Sequence, residues 1–157
     1  MPVKDENDGR LAAADRVTLA AVLDHLVPPV GELPGAGEMG LAPEVERVAR
    51  RVPRFRAALL RVMDAISLDM LSHAAGGFRA LSPEQQVEAI REVEQSLPRP
   101  FAVFVELVYL VYYSDERVHR RIGWKTGGVQ PDGFDLPPFD EAVLEKVRQR
   151  APFWRRV

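Results

Sequence analysis

Between Phe101 and Tyr113 the chain carries a single charge, Glu106, among Phe101, Val103, Phe104, Val105, Leu107, Val108, Leu110, Val111 and Tyr112. Such a run falls short of the roughly 20 apolar residues that a membrane-crossing helix needs. A helix that is apolar on nearly every side must be surrounded by other elements. The run therefore dictates a buried central helix over about 100–113, and everything else in the chain has to supply its cover.

The remaining hydrophobic pattern supplies that cover with helices. Leu19, Val22, Leu23, Leu26 and Val27 recur at amphipathic spacing and predict a helix from near Asp15 to the Pro28-Pro29 stop. Pro43 opens a helix over 42–51, since a first-turn proline lacks only an N–H that would be unpaired anyway. From Pro53 to Ala75 the spacing of Phe55, Leu59, Val62, Met63, Ile66 and Met70 predicts one long helix ended by Gly76-Gly77. Ser82-Pro83-Glu84-Gln85 is a capping-box start for a helix that turns Val87, Ile90, Val93 and Leu97 inward. No segment reads as a strand. The expected fold class is all-α: a single-domain bundle of about five to seven helices, with helices 15–27, 53–75 and 83–97 around the central one.

Residues 1–14 read as a disordered or frayed tail, and 15–157 as one helical domain. After the central helix a short helix over 115–122, capped by Ser114 or Asp115, ends at Gly123. Trp124 should then fold back onto Val118 or His119, the contact that follows a glycine-terminated helix. Residues 124–139, rich in Gly and Pro, form an irregular arm, and a last helix covers about 140–150.

Composition excludes several chemistries. The absence of cysteine removes disulfides, thiolate catalysis and cysteine-ligated metals. A net charge of −2 offers no field for nucleic acid, and the arginines at 47–61 and 117–121 are interleaved with Glu44, Glu46 and Asp64 and with Asp115 and Glu116, which reads as a charged exterior or a protein–protein rim. No glycine-rich turn sits between a strand and a helix, so no FAD-binding fold is expected here. Glu116-x-x-His119 is one metal-type motif where a di-iron bundle needs two, and three arginines flank it. His25, His73 and His119 lack an evident orienting partner, and Glu106 reads as an edge position. Catalytic, cofactor-binding and metal-ligating residues are accordingly expected to be absent from this chain. The first ten residues hold no apolar stretch of a signal peptide. That points to the cytoplasm, or to the periplasm if an export signal was removed from the chain or is carried by a partner.

One series of residues resembles a known family. Tyr112-Tyr113-Ser114-Asp115, then Ile122-Gly123-Trp124, then Gln130-Pro131-x-Gly133-Phe134 follow in the order seen in the gluconate 2-dehydrogenase subunit 3 family. Pro34-Gly35 in the loop 28–40, with Ala36 after it, is similar to that family's Pro-Gly-Ala loop. The resemblance spans about residues 17–135. It implies a small accessory subunit, itself without cofactor, that binds and helps mature or stabilise a large FAD-containing dehydrogenase of the glucose-methanol-choline type acting on a sugar or polyol. A cytochrome c subunit is a further partner it suggests. Larger members carry a Gly-Gly-Asn segment where this chain has Arg117-Val118-His119-Arg120-Arg121, and many begin with a twin-arginine signal not seen here. The alternatives are a stand-alone helical module that binds a protein partner or a small apolar ligand, the ligand near Met63, Met70 and Tyr109, and, less favoured, a metal-dependent enzyme.

Overall fold

The apolar run forms helix α6, Pro98–Tyr112, in a computed structural model that describes residues 11–124 and 139–150. Pro98 and Pro100 both sit in its first turn, so the helix starts two residues earlier than expected. Phe101, Phe104, Leu107, Val108, Val111 and Tyr112 are buried. These residues meet α3 (Pro53–Leu68), α2 (Ala42–Arg51) and α5 (Pro83–Ser96). The described helices are all α or 3-10, and the only extended pairing among described residues is an isolated bridge, Val30 to Leu33.

The expectation of a fully surrounded helix fails on one face of α6. Tyr109 and Leu110 are 46% and 49% exposed. Helix α1, Ala13–Leu26, lies chiefly against α2 and the 3-10 turn Phe78–Ala80 rather than against α6. Three neighbours cannot close a fourth side. Glu106 lies on the open face, as an edge position should, and Arg54 of α3 clasps it with bonds of 2.6 and 2.8 Å. Among the described residues no helix is long and apolar enough to cross a membrane.

The long helix expected over 53–75 is two helices. Asp69 leaves the α conformation (ψ 133°) and its carboxylate accepts the Ser72 N–H at 2.8 Å, starting α4, Met70–Ala75. A short acidic side chain that can bond the backbone locally competes with helix continuation. The break rotates Met70 out of the core, to 84% exposure, and leaves Leu68 79% exposed. Gly76, at φ +85°, ends α4 as the Gly-Gly pair suggested. The capping box of α5 is present, with reciprocal Ser82 and Gln85 bonds. Ile90 and Val93 are buried, while Val87 and Leu97 are half-buried.

Glu46, grouped by sequence with the charged exterior, is 4% exposed. Its carboxylate accepts the Leu11 N–H at 3.2 Å and the Arg16 guanidinium at 2.6 and 3.2 Å, tying the start of α1 to α2. Leu11 is buried and Ala13 begins α1, so the tail expected over 1–14 does not reach that far; residues 1–10 lie outside the described residues. Arg16 holds the Glu46 carboxyl below the usual range, against the opposing effect of burial.

The chain divides into two compact units, Met1–Lys125 and Thr126–Val157. In the second, the helix expected over 140–150 is a 3-10 turn, Glu141–Leu144, capped by Asp140, followed by α8, Glu145–Arg148. No side chain of the 3-10 turn is buried, which leaves little packing to extend a helix. The arm expected over 124–139 falls almost wholly outside the described residues.

Two measurements check this account. Leu107→Ala should lower stability by about 2–5 kcal/mol in urea or thermal unfolding, because it opens a cavity in a close-packed interior. Glu46→Gln should cost about 1–3 kcal/mol near pH 7. A depressed folded-state pKa stabilises above the unfolded value and is lost below it. The wild type should therefore shed the Glu46 contribution as pH falls from the ordinary carboxyl value of about 4.5 through the lower folded-state pKa, and the gap to Glu46→Gln should close over that range.

Candidate functional site

The end of α6 is closed from within. The Ser114 hydroxyl donates to the Leu110 carbonyl at 2.6 Å, so the cap of the next helix falls to Asp115 alone. Asp115 accepts the Arg117 N–H at 2.9 Å and starts α7, Glu116–Arg121. The Asp115 carboxylate also receives the Arg117 guanidinium at 2.8 and 2.7 Å. That contact, more than any other, holds the Asp115 carboxyl below its ordinary range, while burial pushes the other way. Arg117 then reaches across to the Met39 carbonyl at 3.0 Å, which fastens α7 to the loop between α1 and α2.

Gly123 (φ +70°) terminates α7. Its N–H meets the Arg120 carbonyl at 3.3 Å, and the Trp124 N–H meets the His119 carbonyl at 2.8 Å. Both bonds of a Schellman ending are thus made, and the Trp124 ring lies 6.4 Å from the His119 ring, centroid to centroid. The fold-back expected from Gly123-Trp124 is present. His119 has its Nε2 on the Tyr113 carbonyl at 2.5 Å, which commits the ring to joining α6 to α7. Among the described residues no three His, Asp or Glu side chains converge as a metal site would require.

The loop after α1 is held by a residue that sequence reasoning passed over. Asp24 accepts the N–H groups of Gly37 and Glu38 at 2.7 and 3.0 Å. The backbone comes so close that a Cβ on Gly37 would lie 1.9 Å from the Ala20 carbonyl oxygen, and one on Gly35 2.3 Å from Asp24 Oδ1. The signal was available: an acidic residue one turn before a helix stop, followed by Gly-x-Gly, can collect the loop's unpaired N–H groups. Earlier in the loop Val30 and Leu33 exchange backbone bonds of 2.9 and 3.2 Å around Gly31 at φ +62°.

These two segments, about 80 residues apart in sequence, form one groove. An apolar cleft of about 280 Å³ is lined by Val30 and Leu33 from the loop and by Tyr112, Tyr113, Val118, Arg121 and Ile122 from α6 and α7. It continues, through the shared Leu33 and Arg121, into a wider cleft of about 630 Å³ bordered by Glu32, Pro34, Arg117 and Arg120. Of the candidate residues, Pro34, Tyr112 and Tyr113 face the groove. Ser114, Asp115 and Gly123 do not line it; they set the ends of the helices that do. Gly35 is buried under the loop, and Trp124 is exposed beside α7. Gln130, Pro131, Gly133 and Phe134 lie outside the described residues. Val30 and Leu33 are groove residues that the sequence did not single out, and Arg121 and Ile122, read there only as a flanking charge and a motif residue, line it with them.

A family model described as gluconate 2-dehydrogenase subunit 3 matches residues 13–131. The chain belongs to that family. The match opens on the first residue of α1 and takes in both walls of the groove; Gly133 and Phe134 fall beyond its end. Searches of curated proteins and of solved structures found no match. In this subunit 3 family member Tyr113-Ser114-Asp115 and Gly123-Trp124 form the two ends of a joint between α6 and α7. Asp115→Ala should therefore act on structure: a loss of about 1–2 kcal/mol from the missing cap, with faster hydrogen exchange at the amides of 37–40 once Arg117 is released. Gly37→Ala should cost more, about 1–3 kcal/mol or above, because its Cβ meets backbone that cannot yield.

Proposed function

We propose that this subunit 3 family member is a non-catalytic accessory chain that binds a large FAD-dependent sugar or polyol dehydrogenase of the glucose-methanol-choline type and supports its folding or stability. The observation that carries the reading is the family match across 13–131, which covers both walls of the groove. Physical features of the chain agree with it. Tyr109, Leu110, Tyr113, Ile122 and Trp124 leave large apolar side chains exposed along α6 and α7. Surfaces of that kind mark sites where another protein packs. The flavin in this reading belongs to the partner, and a cytochrome c subunit would be a further member of the complex.

The stand-alone ligand-binding alternative draws little support. Met63 and Met70 line different shallow clefts, and Tyr109 lines neither of them.

Co-expression with each flavoprotein dehydrogenase of this type encoded in the same genome, with purification through a tag on this chain, tests the proposal. A stoichiometric complex and a higher soluble, FAD-loaded yield of one flavoprotein are expected. Recovery of this chain alone in every case, with no change in flavoprotein yield or activity, overturns it.

A further inference from the structure

Two apolar surfaces stand out on the first unit. One lies at the α3–α4 break, where Leu68, Met70 and Leu71 are exposed. The other is the groove between the 30–34 loop and α7. The two differ in what surrounds them. The α3–α4 surface borders a shallow cleft whose charged lining residues are Asp69 and Glu92. The groove has an apolar floor and a cationic wall.

The charges of that wall are unequal in their availability. Arg117 is spent on Asp115 and the Met39 carbonyl. Arg120 reaches only its own helix, with Nε 3.4 Å from the Glu116 carbonyl, and Arg121 makes no side-chain hydrogen bond among the described residues. Neither has a carboxylate within ion-pair distance among those residues, whereas Arg16, Arg47, Arg54, Arg117 and Arg148 each have one. Glu32 on the opposite wall is the groove's one acidic lining residue. The narrow cleft, about 280 Å³, is sized for a single large side chain with its flanking backbone.

We propose that this groove receives an acidic segment of the partner polypeptide, with one aromatic or branched aliphatic side chain seated between Leu33, Val118 and Ile122 and a neighbouring carboxylate on Arg120 and Arg121. The inference rests on the accessory-subunit reading and names its contact surface. Paired arginines present planar donor forks that match a carboxylate. An apolar anchor in a pocket beside charged groups at the rim is the usual division of labour in an interface: the anchor holds, and the charges select and steer.

The test uses the full chain co-expressed with the flavoprotein that co-purifies with it. A photo-crosslinking amino acid replaces Ile122 in one variant and Leu68 in another; both positions are exposed, so both variants should fold. The expected result is a crosslink from position 122, and not from 68, to a flavoprotein peptide that contains Asp or Glu. Arg120→Glu with Arg121→Glu should weaken the complex about tenfold or more and remove most of its salt dependence, while the isolated chain stays folded with a small drop in its thermal midpoint from the lost cations at the end of α7. Crosslinking from 68 alone, or a stable complex with no crosslink at 122, overturns the groove while leaving the accessory reading intact. A crosslink from 122 to a second copy of this chain also overturns it. Unaltered affinity of the double arginine variant removes the acidic partner. Absence of any flavoprotein complex defeats both readings together.

Discussion

Removing one face of α6 from water is the constraint on which the rest of the first unit depends. Phe104 and Leu107 are fully buried and Val108 and Val111 nearly so, and apolar burial of this kind is the main favourable term in folding. Helices α2, α3 and α5 are arranged to provide it. Their starts are fixed by prolines in the first turn, which end each preceding segment and leave the helix little freedom over where to begin. Among the described residues three helices provide the main cover of α6; the opposite face stays open at Tyr109 and Leu110, and Tyr113 beyond it lines the groove.

Three carboxylates hold the irregular parts against that framework, each by collecting backbone N–H groups that no helix could pair. Glu46 gathers the chain before α1, Asp24 the glycine loop, and Asp115 the first turn of α7. Two of them recruit an arginine as well, so that the carboxylate stays ionised despite partial burial. The result is a groove whose two walls belong to distant segments but are locked to each other through Arg117 and the Met39 carbonyl. Fixed walls lower the ordering cost of binding a partner.

Much of this was legible in the amino-acid order. The capping box at Ser82, the helix starts at Pro43 and Pro53, the Asp115 cap and the Gly123-Trp124 fold-back all follow from interactions within a few residues. The misreadings have physical causes of a different range. Met70 kept helical spacing with the core residues before it, but Asp69 interrupts the helix with a local bond, and periodicity does not survive a break. Glu46 looked like surface charge because its partners, Leu11 and Arg16, are 30 or more residues away. Asp24 was hidden for the same reason on a shorter scale, its N–H donors lying 13 and 14 residues on.

The sequence by itself determined the helical class, the boundaries set by proline, serine and glycine, the dominance of the 101–112 helix and the family to which the chain belongs. Those follow from local backbone sterics and from apolar spacing, which need no knowledge of distant neighbours. Only the tertiary structure decided which face of α6 remains open, which carboxylates are buried, and that Val30 and Leu33 share a cleft with Tyr112 and Ile122 while Pro34 shares one with Arg120 and Arg121. Such pairings depend on how whole helices pack, and packing is the property of surfaces brought together across the chain.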